Sequence, residues 1–296
     1  MDWEEALDEY KIHLKLEKKL SSNTIEAYLR DIKKLQNFTE NSPQKISAQE
    51  VEEFLYQFGK NSNSARSQAR LISGIKSFFR FLQWEEQRED NPTELLESPK
   101  LGMKLPDVLS ENEIDELIAQ IDLSTPEGER NRSILETLYG CGLRVSELIE
   151  LKLSDLFFEE QFIRVIGKGN KQRLVPISTY TIKYIELYKN EIRSHISIQK
   201  GFEDYLYLNR RGKKLTRVMI FTIIKQLTEK AGIKKKISPH TFRHSFATHL
   251  LKNGANLRSI QLMLGHESIT TTEIYAHLDD SMLREAVLKF HPRNKD

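Results

Sequence analysis

A single cysteine, Cys141, occurs in 296 residues, which excludes an internal disulfide framework and fits a reducing compartment. It sits in an apolar helical pattern and reads as a small buried residue rather than a reactive thiol. No apolar run approaches the roughly 20 residues that a bilayer crossing needs, so no membrane span is expected. The opening stretch MDWEEALDEYKIHLKLEKKL is amphipathic and acidic, unlike a signal or transit peptide, and a cytoplasmic location is expected. There is no GxxxxGKS/T loop for a nucleotide and no carboxylate cluster suited to two metal ions. An excess of one charge is missing too: 45 Lys and Arg face 43 Asp and Glu, a net charge of +2 that does not by itself announce a nucleic-acid binder.

Charged residues make up 30% of the chain and hydrophobic ones 39%, which suits a globular protein, and the length allows two domains with separate cores. The charges are unevenly spread. Acidic residues dominate the first ten positions, whereas the stretch from Lys189 to Lys236 is basic, with Arg210, Arg211, Lys213, Lys214, Arg217, Lys234, Lys235 and Lys236. Such a face is the electrostatic footprint of a phosphate-binding surface, although on charge alone a solvated helix face balanced by distant acids is the default reading.

The first hundred residues read as about four helices. Asn23 with Glu26 resembles a capping box ahead of Ile25, Leu29, Ile32, Leu35 and Phe38, and Ser47 with Glu50 repeats the signal. A third apolar stripe holds Ile72, Ile75, Phe78, Phe79 and Leu82. REDNPTELLESPKLGMKLP then breaks the periodicity with prolines and a glycine, giving a predicted organisation of 1–88 as a helical domain, 89–107 as linker and 108–296 as a second domain. The second domain opens on the capping box Ser110–Glu113, and one long helix is predicted over NRSILETLYGCGLRVSELIEL. The pattern then changes to period two, FIRVIG and RLVPIS around KGNK, which predicts a β-hairpin, and YLYLNRRGKKL is a candidate third strand. Short helices follow to the end, the last over SMLREAVLKF. The fold class is mainly α with a small antiparallel β-sheet.

Residues 240–249 read HTFRHSFATH. His240 and His244 would share a helix face, as in a zinc-binding HExxH pair, but Thr241 stands where that motif needs glutamate, and no second cluster of Cys, His and Asp supplies ligands, so no metal is expected. The segment continues to an LGH ending at His266 and a tyrosine nine positions later, Tyr275. Upstream stand LYGCGLRVSELIEL, with Arg144 and Glu147, and GKGNK, with Lys168.

In this order and spacing, His240, Arg243, His266, Tyr275, Arg144 and Lys168 resemble the catalytic signature of the tyrosine recombinases, the phage integrase family, along the whole chain. The resemblance implies a core-binding, SAM-like helical N-terminal domain and a mixed α/β catalytic domain. It implies a site-specific recombinase that cuts and rejoins DNA through a 3′-phosphotyrosine, with no cofactor. Arg144 and Arg243 would hold the non-bridging phosphate oxygens with planar donor forks. His240 and His266 would donate hydrogen bonds or move the nucleophile's proton, and Tyr275 would be the nucleophile. Lys168 would protonate the leaving 5′-oxygen, with Lys171 a near competitor for that role. Glu147 is open between supporting Arg144 and a plain surface ion pair, and His244 and His249 are read as structural.

The HPR near the end is similar to the Xer branch. That implies double-stranded DNA with dif-like inverted half-sites, a homo- or hetero-tetramer with a second recombinase, chromosome-dimer resolution and an FtsK-type translocase as a further partner. Because the chain opens directly on the helical half, the arm-binding domain of many phage integrases is not expected. The last helix, with Leu283, Ala286, Val287 and Leu288, would dock on a neighbour or on its own domain. Other readings are an integrase or invertase of a mobile element, a type IB topoisomerase, and a non-catalytic DNA binder in which NGANLRSIQLMLGH supplies the second helix of a helix-turn-helix.

Overall fold

The computed structural model describes residues 1–60, 64–99, 107–167, 170–265 and 280–294, with side chains from Leu283 onward in the last stretch. The chain divides into two compact units, Met1–Lys104 and Leu105–Asp296.

Among the described residues, four helices form the first unit: α1 (Trp3–Leu16), α2 (Ser22–Gln36), α3 (Ala48–Lys60) and α4 (Ala65–Trp84). Tyr10, Leu14, Ile32, Leu35, Ile75, Phe78 and Phe79 share its core. The start of α2 differs from expectation: Ser21 is the N-cap, accepting from the Thr24 N–H, because its extended backbone places the hydroxyl where Asn23 would already lie inside the helix. Ser47 and Glu50 do form a reciprocal pair, Ser47 N–H donating to Glu50 at 2.9 Å and Glu50 N–H to Ser47 Oγ at 3.2 Å. The bundle extends beyond α4. Arg88 is buried and donates to the carbonyls of Pro43 and Ile46 at 3.0 and 2.8 Å, so the proline-containing stretch begins with a residue seated in this unit.

The second unit contains α5 (Glu111–Ala119), α6 (Pro126–Cys141), α7 (Val145–Glu150), α8 (Thr179–Leu187), α9 (Arg217–Lys230), α10 (Pro239–Lys252), α11 (Leu257–Leu264) and α12 (Asp280–Phe290). Between α7 and α8 lies an antiparallel sheet in the order β1 (Leu156–Phe157), β2 (Phe162–Ile166), β3 (Gln172–Pro176). The predicted hairpin is β2–β3, in register from Phe162 opposite Pro176 to Ile166 opposite Gln172. The third strand is β1 rather than YLYLNRRGKKL, whose only ladder contacts among the described residues are the isolated bridges Lys152–Tyr205 and Leu208–Lys214. Its Tyr207 is fully buried, its hydroxyl bonded to Ser133 and Thr137 of α6, so this stretch serves the helical core.

The predicted long helix is two. Gly142 ends α6 in the left-handed region at φ +58°, and Arg144 is extended before α7. A side chain at 142 would meet Phe246 of α10 at 2.5 Å, so glycine is required by conformation and by packing. The turn swings Arg144 off the helix axis. Cys141 is buried, as expected.

On α12, Leu283, Ala286 and Val287 join the core of their own unit. Beyond it His291 is fully buried against Tyr139, and Arg293 reaches Glu136 of α6 at 3.1 Å and Asp115 of α5 at 2.5 Å. Five of the eight residues of α11 are buried, which leaves it a packed element rather than the open recognition helix of the helix-turn-helix reading.

Candidate active site

The site is built on the short α7. Arg144 is its N-cap residue, and Glu147, one turn on, accepts the Arg144 backbone N–H at 2.8 Å, closing the helix start in capping-box fashion. The same carboxylate takes Arg144 Nη1 on Oε1 at 2.8 Å. Glu147 is 4% exposed, so it is no surface ion pair.

Two more guanidiniums converge on it. Arg173 of β3 grips it at both oxygens, Nη1 to Oε1 at 2.8 Å and Nη2 to Oε2 at 2.9 Å. Arg243 of α10 lies 3.9 Å from Oε2. Each of the three arginines also donates to one of three consecutive carbonyls that close α11: Arg173 to Met263 at 2.7 Å, Arg243 to Leu264, and Arg144 to Gly265 at 3.2 Å. Helix C-termini leave such carbonyls unpaired and favour positive charge, so the arginines cap the helix that leads to His266. Arg243 spends another donor on the Gly142 carbonyl at 2.8 Å, tying α10 to the turn before Arg144.

Burial alone would raise the Glu147 carboxyl; the Arg173 fork, then the Arg144 N–H and guanidinium, more than offset it and hold it below the usual range. Burial and the neighbouring Arg144 push Arg243 down to about 9, still protonated at neutral pH. His240, exposed at the start of α10, is lowered by partial desolvation and then by Arg243, His244 and Arg144. It is therefore a neutral imidazole near pH 7, able to accept a proton as well as to donate a hydrogen bond. The side chain of Arg144 is 36% exposed, whereas those of Arg173 and Arg243 are 5% and 8% exposed. A ligand would meet Arg144 most openly.

Of the residues singled out by sequence, Arg144, Glu147 and Arg243 are thus brought together, with His240 one helical turn from Arg243. Lys168, His266 and Tyr275 lie outside the described residues, although Gly167 and Gly265, their neighbours in the chain, are described. Lys171 is exposed on the hairpin. His249 is buried, with Nδ1 2.8 Å from the Tyr139 hydroxyl, as a structural residue should be. His244 is exposed instead, because its helix position faces away from the core that takes Phe242, Phe246 and His249. Arg173 was missed: in RLVPI it looks like any polar residue alternating in a strand.

Among the basic residues, Arg210, Arg211, Lys213, Arg217, Lys234, Lys235 and Lys236 are exposed and Lys214 half-buried. Two are already paired, Lys214 with Glu150 at 2.5 Å and Lys235 with Glu113 at 2.7 Å. A second basic face, on the first unit, also escaped notice. Arg66, Arg70 and Arg80 are exposed on α4 and Lys33 and Lys34 on α2, with buried Asp31 bridging Arg70 and Lys34 at 2.7 and 3.0 Å. The helical spacing of Arg66, Arg70 and Arg80 was the available signal. Among the described residues, His13, Glu17 and Glu85 of the first unit could hold a metal ion, their ligand atoms lying within 4.8 Å of one another. None of them belongs to the arginine site. No helix among the described residues is long and apolar enough to cross a membrane.

Residues 107–282 match the phage integrase family, and residues 7–86 match the phage integrase N-terminal SAM-like domain. A tyrosine recombinase XerD of Staphylococcus saprophyticus is 45% identical over 293 residues, covering 97% of this chain and 98% of the relative. A tyrosine recombinase XerD of Staphylococcus aureus is 46% identical over 294 residues, covering 98% and 99%. Among solved structures, a XerH site-specific recombinase bound to difH substrate in a pre-cleavage complex superposes with a TM-score of 0.67 at 25% identity, over 86% of this chain and 76% of that one.

Proposed function

Given that the chain belongs to the phage integrase family and is a Xer-type tyrosine recombinase, a site-specific DNA recombinase, we propose that Arg144, Lys168, His240, Arg243, His266 and Tyr275 form its strand-cleaving centre, with Glu147 in support. The observation that carries this reading is the convergence of Arg144 and Arg243 on Glu147 with His240 beside them. The Tyr275 phenolic oxygen attacks the phosphorus, the bond to the 5′-oxygen breaks, and a 3′-phosphotyrosine forms. His240, neutral near pH 7, is suited to take the phenolic proton, and Lys168 gives one to the departing 5′-oxygen. The pentavalent transition state gathers charge on the non-bridging oxygens, where fixed guanidiniums act without reorganising. Religation runs the same steps backward. The phosphotyrosine conserves the energy of the broken bond, so this scheme calls on no nucleotide and no metal.

The XerD names of the relatives and the difH substrate of the XerH complex support a finer reading. In it the substrate is double-stranded DNA with dif-like inverted half-sites, recombined in a homo- or hetero-tetramer with a second recombinase, in the cytoplasm, to resolve chromosome dimers under an FtsK-type translocase. The exposed residues of the Arg210–Lys236 region and the α2–α4 face suit contacts to the phosphate backbone. A nicked suicide duplex carrying a dif-like site tests the centre. Covalent protein–DNA product is expected from wild type and none from Tyr275→Phe. Product that persists in Tyr275→Phe refutes the nucleophile, and equal trapping on any duplex refutes site-specific cleavage at dif.

A further inference from the structure

Arg173 belongs to no motif of the sequence reading, and every one of its guanidinium nitrogens is in use. Nε donates to the Met263 carbonyl at 2.7 Å, and Nη1 and Nη2 straddle Glu147 at 2.8 and 2.9 Å. Its side chain is 5% exposed, too covered to reach DNA. Glu147 takes the backbone N–H of Arg144 on Oε2 and the guanidinium of Arg144 on Oε1, both at 2.8 Å. The most direct path from Arg173 to Arg144 runs through this one carboxylate, held at both oxygens, while the Met263 and Gly265 carbonyls hold the two guanidiniums separately. Gly265, at φ +64°, makes room for this: a Cβ there would lie 3.3 Å from Arg173 Cδ.

We propose that Arg173 is a positioning residue for strand cleavage: its two-point grip on Glu147 fixes the plane in which Arg144 presents its guanidinium to the scissile phosphate. The proposal rests on the reading of Arg144 as a phosphate ligand. Lysine cannot replace the grip, because an ammonium is a point donor and cannot hold both carboxylate oxygens in one plane. Removing the cation also leaves Glu147 with the burial that raises its pKa and without the largest influence that lowers it. A protonated Glu147 would hold Arg144 weakly.

The test measures covalent trapping on the nicked duplex, duplex affinity and thermal unfolding for Arg173→Lys, Arg173→Gln, Glu147→Gln and Arg173→Gln/Glu147→Gln. A misplacement of about 1 Å costs on the order of 100-fold in rate, so Arg173→Lys should trap about 100-fold more slowly than wild type. Its DNA affinity should stay within about threefold, since a covered side chain contributes no phosphate contact of its own. Arg173→Gln should lose rate on acidification at a higher pH than wild type or Glu147→Gln, in which His240 sets the acid limb, a change that a merely structural role would not produce. Because Arg173 acts through Glu147, the double variant should cleave like Glu147→Gln alone, within about threefold. That comparison needs neither Arg173 single variant to fold: the double variant removes one buried charge of each sign, Arg243 keeps its carbonyl partners Gly142 and Leu264, and thermal unfolding checks both proteins compared.

A double variant tenfold or more below Glu147→Gln, or Arg173→Gln at the wild-type rate, overturns the positioning role. Tyr275→Phe separates the two readings. If it still traps DNA, the centre itself is misassigned and the proposal falls with it. If trapping needs Tyr275 and the Arg173 variants cleave normally, only the role of Arg173 fails.

Discussion

Arg293→Ala removes the cation facing a carboxylate that has no exposure at all. Arg293 Nε lies 3.1 Å from Glu136 Oε2, and Glu136 Oε1 has no hydrogen-bond partner among the described residues. The guanidinium also lies over the rings of Tyr139 and Tyr180, 5.6 and 5.4 Å from their centroids. Breaking a buried pair by removing one partner costs about 3–5 kcal/mol, because the other charge stays buried. The second contact, to Asp115, adds little, since that carboxylate is 57% exposed and screened by solvent. In a unit of this size each kcal/mol lowers the melting temperature by about 2–4 °C, so a fall of about 6–20 °C is expected. The pH dependence gives a sharper check. Burial outweighs Arg293 and already raises Glu136, so the folded chain holds this proton more tightly than the unfolded chain. Its contribution therefore favours folding in acid and is lost as pH rises from the unfolded value through the folded one. Without Arg293 the folded value climbs further, and the window reaches toward neutrality. The melting deficit of Arg293→Ala should accordingly shrink between about pH 7.5 and about pH 5.5. His291, buried and held down at about 3, acts in the opposite sense, losing its contribution as pH falls below its unfolded value. Burial is its main cause in both proteins, so most of that effect cancels in the difference. Adding Glu136→Gln should restore most of the loss at pH 7.5. The reasoning fails if Arg293→Ala melts within about 2 °C of wild type, or if its deficit is the same at both pH values.

Gly142→Ala combines left-handed strain with a Cβ 2.5 Å from Phe246, and about 2–4 kcal/mol of destabilisation in urea is expected, together with loss of trapping because the Gly142 carbonyl anchors Arg243. Tyr139→Phe removes the 2.8 Å bond to buried His249 Nδ1 and should cost about 1–2 kcal/mol in denaturant unfolding, with a changed His249 ring-nitrogen shift by NMR. Duplex affinity should fall steeply with salt, and Arg210→Ala should reduce the log–log slope by about 1. Lys214→Ala should reduce it less, since that ammonium already pairs with Glu150.

The part of the proposed centre that the described residues contain was legible because the chemistry proposed for it needs rare residue types at fixed spacings. Arg144 with Glu147 one turn on, and His240 with Arg243, come together on α7 and α10 as the motifs imply. The β2–β3 hairpin was legible because alternation is a local signal with period two. Non-local facts were not. The break at Gly142 depends on Phe246, more than a hundred residues away, and apolar periodicity runs straight across it. Tyr207 looked like a strand residue because YLYL alternates, yet its partners Ser133 and Thr137 belong to a helix. Arg173 was invisible because Glu147 and Met263 are far from it in the chain. Ser21 rather than Asn23 caps α2, a displacement of the kind that leaves the helix legible and its boundary not.

The meeting of Arg144, Arg173 and Arg243 on Glu147 sets three cations against one anion, an excess of two positive charges in largely covered surroundings. That excess suits an anion, and a phosphodiester carries one. DNA would then be a structural component of the domain as well as its substrate. Whatever binds only the folded form shifts its melting temperature with concentration. A short duplex with one neutral methylphosphonate at the scissile position should therefore protect the fold less than its natural counterpart, which makes heat resistance a gauge of whether that single phosphate has been seated.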